Sequence, residues 1–253
     1  MAIQIKSPEE LARMAEAGRL LAEVMAELER RIRPGVSTAE LDRVAREAIL
    51  ARGAKPAFLG YQGFPATICA SPNEVVVHGI PSDRPLKEGD LLSVDVGLFY
   101  QGFAADMAKT FAIGEVSEEA RRLVRTTEES FWKGLEEAVP GKRVGDIAAA
   151  IQRHVEDAGF WVVREFVGHG IGREFHEEPQ VPNFGRPGTG PKLRPGMVLA
   201  IEPMVTLYPA HVVVLQDGWT ASAGRGNLAA HYEHTVAITE EGPRVLTRLG
   251  EEG

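Results

Sequence analysis

The segment RPGVSTAELDRVAREAILARGA, Arg33 to Ala54, returns without a gap as VPGKRVGDIAAAIQRHVEDAGF, Val139 to Phe160. Pro34 falls on Pro140, Gly35 on Gly141, Leu41 on Ile147 and Gly53 on Gly159. Each copy reads as a Pro-Gly turn, an amphipathic helix and a closing glycine. An internal repeat of this kind decides the fold before any single element is placed. A longer helix precedes each copy: Ser7, Pro8 and Glu10 make a capping-box pattern with proline at the first helical position, and Ser117 with Glu118 and Glu119 opens its partner. Downstream, EGDLLSVDV and RPGMVLAIEP align as apolar strands entered through a glycine turn. The expectation is an α+β chain, one domain over residues 1–253, with two similar halves at about 1–113 and 114–253, joined sheets and outer helices.

The strand alignment places Asp95 opposite Glu202. A carboxylate inside an apolar strand is costly to bury unless it is paired or holds a cation. Two at matching places of a repeat point to one shared role, and the pattern recurs at Asp106 in GFAADMAKTFAIG and Glu233 in HYEHTVAITEEG. A histidine joins them from FVGHGIGREFHEEPQ, where His169 and His176 stand among Gly168, Gly170 and Gly172. Three glycines so close oppose a helix, each by roughly 1 kcal/mol against alanine, so this stretch is expected to be loop or strand edge.

Asp95, Asp106, His169, Glu202 and Glu233 thus form a candidate ligand set of four carboxylates and one imidazole. Four anions cannot share an apolar pocket without cations. Five ligands also exceed what one catalytic metal takes while keeping a position open. Two divalent ions balance the charge, and the donor types suit Mn, Fe, Co or Zn. Such a pair would hold a bridging hydroxide at neutral pH, a nucleophile for an amide carbonyl.

The totals narrow the class. The 253 residues are 44% hydrophobic, enough for a full core, and 28 basic against 36 acidic residues leave a net charge of −8. No basic stripe is interleaved with aromatics, so DNA or RNA is not the expected substrate. The start, MAIQIKSPEELARM, lacks an apolar h-region, and no apolar run approaches the roughly 18 residues of a membrane span; a cytoplasmic location is expected. Cys69 is the single cysteine, which leaves no internal disulfide and no cysteine-based zinc site.

Five motifs in order, GYQGFPATICASPNEVVVHGIP, SVDVGLFYQGFAADMAKT, GHGIGREFHEEPQV, LAIEPMV and HYEHTVAIT, resemble those of type I methionine aminopeptidases of peptidase family M24, and the resemblance covers essentially the whole chain. It implies the pita-bread fold of creatinases and aminopeptidases, in agreement with the repeat. It implies metal ligation by Asp95, Asp106, His169, Glu202 and Glu233, with Asp106 and Glu233 bridging. It further implies hydrolysis of the peptide bond after an N-terminal methionine, before a small second residue. In that reaction Glu202 acts as general base, His176 donates to the carbonyl oxygen, and His78 contacts the scissile nitrogen or the backbone beyond it. Tyr61, Phe64, Cys69, Phe175 and Trp219, with His78 and His176, occupy the substrate-pocket positions. Phe58 stands where some members have a cysteine; an inward ring would narrow the pocket.

Two other readings stay open on sequence. An Xaa-Pro aminopeptidase or prolidase shares fold and ligands but carries an added N-terminal domain, for which the repeat's start at Arg33 leaves little room. A non-catalytic binding homologue would have lost ligands, and all five are present. The substrate implies nascent chains and transient docking on the ribosome, for which Arg121, Arg122 and Arg125 are candidates; a monomer is expected. His154, His211 and His231 read as surface or structurally satisfied histidines, His234 as facing away from Glu233 along a strand, Cys69 as a small apolar group, and NFGRPGTGPKLRPG as a surface connection.

Overall fold

Helix signals in the sequence are met by local hydrogen bonds in the computed structural model, which describes residues 2–250. In α1 (Pro8–Glu29) the Ser7 hydroxyl accepts from the Glu10 N–H and Glu10 returns the bond to the Ser7 N–H. Ser37 caps α2 (Thr38–Ala51) and Ser117 caps α3 (Glu118–Glu136) in the same way at one end. No side chain caps α4 (Val144–Asp157); there the Asp146 carboxylate accepts from the Arg143 N–H.

Helices α1 with α2, and α3 with α4, flank a nine-stranded antiparallel sheet that curls between them. One apolar core lies under α1 and α2, built from residues such as Leu21, Leu28, Leu41, Ile49 and Val94. A second lies under α3 and α4 around Leu123, Phe131, Ile147, Ile151 and Leu199. The aligned turns match in detail. Gly35 and Gly141 have φ of 91° and 93°, a region open to glycine at little cost, and their N–H groups donate to Leu86 and Leu193.

Within the nine-stranded sheet the halves meet along one short seam. The strand Phe103–Ala112 pairs with Glu233–Thr239 through only Glu233↔Ala108 and His234↔Met107. Threonines reinforce it: the Thr235 hydroxyl accepts from the Asp106 N–H and donates to the Asp106 carbonyl, and Thr110 does the same with His231. The candidate ligands lie on this seam. The stretch Gly185–Lys192 is exposed, as a surface connection requires.

Candidate metal centre

Strand register assembles the carboxylates. Cys69 pairs with Asp95, Asp95 with Ala108, and Ala108 with Glu233. Paired residues of antiparallel strands share a face, and alternate residues return to it. One row therefore crosses four neighbouring strands, with Asp106 beside it two residues before Ala108. Ala108, at the middle, contributes only a methyl group and leaves the space between Asp95 and Glu233 open.

His169 and Glu202 come from the second half. His169 sits on the strand Gly168–Gly170 opposite Ala200, and Glu202 leaves the strand Val198–Ile201 two residues later. The expectation of a loop or strand edge holds for residues 171–176, which carry His176 between two strands, and is corrected at His169: its strand is hydrogen-bonded on both sides, to Val198–Ile201 and to Glu177–Val181. The glycines permit this closeness. A Cβ on Gly168 would stand 2.3 Å from the Ala200 carbonyl oxygen, and one on Gly170 2.2 Å from that of Glu178. Asn183 Nδ2 donates to the Glu202 carbonyl at 2.9 Å and holds the strand end.

The five side chains converge. His169 Nε2 lies 3.7 Å from Asp106 Oδ2 and 3.6 Å from Glu202 Oε1, while its Nδ1 donates to the Gly170 carbonyl at 2.8 Å. Asp106, His169 and Glu233 have ligand atoms within 4.8 Å of one another. Burial, then the Asp106 and Glu202 carboxylates, push Asp95 well above the usual carboxylate range. Glu233 is raised by the same causes, and Asp106 is raised by burial, which His169 opposes. Burial lowers His169, but Asp106 and Glu202 outweigh it and the net shift is upward.

These residues fit a divalent cation. Asp95 Oδ1, Asp106 Oδ1 and Glu233 Oε1 are buried without hydrogen-bond partners, which is expensive in a protein interior unless something cationic meets them. The oxygen-rich set with one imidazole is a donor group for a first-row divalent metal such as Mn, Fe, Co or Zn.

A pocket of about 170 Å³ opens onto this cluster. Asp95, Asp106 and Glu202 line its floor, and Tyr61, Phe64, Cys69, His78, Phe175, His176 and Trp219 its walls. All the residues expected at the site thus come together. Phe58 also faces inward, its ring edge-on to Phe175 at 5.3 Å and to Phe64 at 6.5 Å. Trp219 packs on Phe64 at 5.1 Å. His78 holds a φ of 59°, a conformation uncommon outside glycine and one that clusters at functional sites, and burial lowers its pKa. Tyr61 Oη lies 2.7 Å from His176 Nδ1. Burial of its inner edge, then the neighbouring His169, lower His176 to about 4. Burial and the nearby carboxylates push the Cys69 thiol well up, so it is a small wall group and no thiolate nucleophile.

Three residues outside the expected set belong to the surroundings of the site. His231 is 1% exposed and its Nε2 stands 3.6 Å from Glu202 Oε2, against the reading of a satisfied histidine. The signal was present: two residues before Glu233 in a strand-like run, it shares that residue's face. Asn183 and Thr235 act through backbone groups of distant residues, which no local pattern marks. His234 does face away, bonded to Thr247 Oγ1 at 2.8 Å; His154 meets Glu129 and His211 is exposed.

The chain matches metallopeptidase family M24 over residues 12–240. It is 53% identical to the methionine aminopeptidase of Clostridium perfringens, over 98% of this chain and 99% of that one. Its fold superposes on the crystal structure of methionine aminopeptidase from Thermotoga maritima with a TM-score of 0.96 at 47% identity, covering 98% of this chain and 100% of that one. An Xaa-Pro dipeptidase from Bacillus anthracis shares the fold alone, with a TM-score of 0.77 at 24% identity over 98% of this chain and 63% of that one.

Proposed function

The chain belongs to metallopeptidase family M24, and from that premise we infer that it is a metal-dependent aminopeptidase that removes the N-terminal methionine of peptides and nascent proteins. The observation that carries this reading is the shared cavity: an aromatic pocket whose floor is the carboxylate cluster. A side chain seated among Phe58, Tyr61, Phe64, Phe175 and Trp219 leaves its own carbonyl at that floor. Methionine suits the walls because its flexible thioether is attracted to ring edges.

Two divalent ions, held by Asp95, Asp106, His169, Glu202 and Glu233, supply Lewis acidity and lower the pKa of water. Glu202 takes the proton of the attacking water and returns it to the leaving amine nitrogen. His176, with a pKa near 4, is neutral at neutral pH. With the Tyr61 phenol donating into Nδ1, its own proton sits on Nε2 and is given as a hydrogen bond to the carbonyl oxygen as charge develops there. His78, on the opposite wall beside Trp219 and Phe166, donates to the backbone past the scissile bond. A small second residue is preferred because the cluster and both histidines crowd the exit from the pocket.

The two halves act as one catalytic domain, since each supplies ligands to the seam. No helix among the described residues is long and apolar enough to cross a membrane; a nascent-chain substrate favours a cytoplasmic enzyme that meets chains at the ribosome, and a monomer is the proposed state. Arg121, Arg122 and Arg125 are weakly suited to that docking: Arg121 pairs with Glu115, Arg125 with Glu129, and Arg122 stacks on Phe160. Unchanged ribosome co-sedimentation after reversing all three charges removes them from the account.

Met-Ala-Ser, Met-Lys-Ser and Ala-Pro-Ala, offered side by side to the metal-loaded protein, test the reading. Free methionine from the first peptide alone is expected. Cleavage of Ala-Pro-Ala in its place moves the protein to the Xaa-Pro side of the family, and no cleavage of any peptide supports a binding homologue.

A further inference from the structure

Among the described residues the Glu202 carboxylate makes close contacts to two imidazoles, one at each oxygen. Its Oε1 faces His169 Nε2 at 3.6 Å, and its Oε2 faces His231 Nε2 at 3.6 Å. The second contact has no place in the ligand set. His231 is 1% exposed, and its Nε2 is a buried atom without a hydrogen-bond partner, 3.7 Å from Glu233 Oε2 as well. The other buried histidine of this segment behaves differently: His234 is bonded at both ring nitrogens, to Thr247 Oγ1 and the Tyr232 hydroxyl. An imidazole edge left unpaired among carboxylates is costly unless it has a task.

We propose that His231 is a positioning residue for Glu202: in the metal-loaded enzyme its Nε2–H donates to Glu202 Oε2 and aims that oxygen, the one turned away from His169, at the water to be deprotonated. The inference rests on the aminopeptidase reading and its assignment of Glu202 as the base. The present separations exceed a hydrogen bond by a few tenths of an ångström, and catalytic hydrogen bonds are commonly long before substrate and cofactor draw the site together. Outer groups that fix a ligating carboxylate act in this way at other metal centres.

The backbone makes His231 a firm support. Its N–H donates to Thr110 Oγ1 at 2.8 Å and its carbonyl accepts from the same hydroxyl at 2.9 Å. The residue pairs with Met204 across the strand Met204–Thr206. Glu202 lies two residues before Met204, so both partners are anchored to one pair of strands. Ligation of a metal by His231 is the competing role, because Glu202, His231 and Glu233 offer donor atoms within 4.8 Å of one another. The five residues already balance two divalent ions, and His231 is the imidazole that the described residues set against the second oxygen of Glu202; both facts favour the hydrogen bond.

His231→Leu and His231→Gln, each loaded with Zn, are compared with the parent for Met-Ala-Ser hydrolysis, bound metal per chain and melting temperature. Leucine is expected to lower kcat about tenfold or more, the worth of a charge-assisted hydrogen bond, with KM and bound metal unchanged. Glutamine, whose amide N–H can reach the same oxygen, recovers most of the loss. Unchanged kcat in both variants overturns the proposal. Loss of metal in both assigns His231 to ligation, and equal loss of kcat in both without metal loss assigns it to packing; either overturns the proposal. Should the leucine variant not fold, 15N NMR of the Zn-loaded parent decides: a proton on His231 Nε2 is expected, and an unprotonated Nε2 overturns the proposal. A parent that releases no methionine refutes the aminopeptidase reading itself, a result separate from any difference among variants.

Discussion

The hydroxyl of Thr235 accepts the backbone N–H of Asp106 at 2.9 Å and donates to the carbonyl of the same residue at 2.8 Å. One side chain thus replaces a ladder rung where the two halves meet and fixes the backbone of a carboxylate in the cluster. Thr235→Val keeps the shape and leaves two buried backbone groups unpaired, at a cost of roughly 2–4 kcal/mol. Urea unfolding of the metal-free protein measures it, with Thr235→Ser expected near the parent. Equal stability of the valine and serine variants contradicts the seam's importance.

Metal binding is expected to strengthen as pH rises. Asp95, Asp106 and Glu233 have folded pKa values raised by burial and by one another. For an acid with a raised folded pKa, the stabilising contribution is present below the unfolded value and is lost as pH climbs through the folded one. The metal-free fold therefore carries protons on these groups or strain between them, and a cation displaces the protons. The melting-temperature gain on adding metal should increase from pH 5 to pH 8, and calorimetry in buffers of different ionisation enthalpy should register proton release. A gain that is constant with pH contradicts the account.

His176 should titrate near 4 in the metal-free protein, as read from its ring resonances; a midpoint near the ordinary 6.5 contradicts the lowering by burial and by the neighbouring His169. Tyr61→Phe removes the 2.7 Å partner of Nδ1 and should lower kcat about tenfold. His176→Ala should lower it by about 10²–10³ with little change in KM, as expected for a donor used mainly in the transition state.

Phe58 narrows the methionine pocket from the side of Phe175. Phe58→Ala removes a whole ring from the wall and should reduce kcat/KM for Met-Ala-Ser by about tenfold or more, since a single missing methylene in an apolar site is already worth roughly 10–200-fold. It should also reduce the preference for methionine over phenylalanine at the first position. An unchanged preference places the ring outside the contact surface.

Fold class was legible because two features act locally and recur: Pro-Gly turns that force a left-handed glycine, and serine caps followed by glutamate. The carboxylates were legible because an acidic residue in an apolar strand is conspicuous. What escaped depends on register. The row Cys69, Asp95, Ala108, Glu233 exists only once four strands are aligned, and Gly168 and Gly170 beside His169, read as a sign of loop or strand edge, let three strands approach one another. His231 carries no motif of its own, although strand alternation with Glu233 marks its side. Asn183 and Thr235 hold backbone groups across 19 and 129 residues, and contacts of that kind leave no trace in one sequence.

The most direct measurement is methionine release from Met-Ala-Ser by protein stripped of metal and then reloaded with Mn, Fe, Co or Zn, with Glu202→Ala alongside. Release that is absent after stripping, returns with a divalent ion and stays absent in the variant is the predicted result. Full release by stripped protein, or by the reloaded Glu202→Ala variant, would contradict a carboxylate-held metal centre with Glu202 as its base.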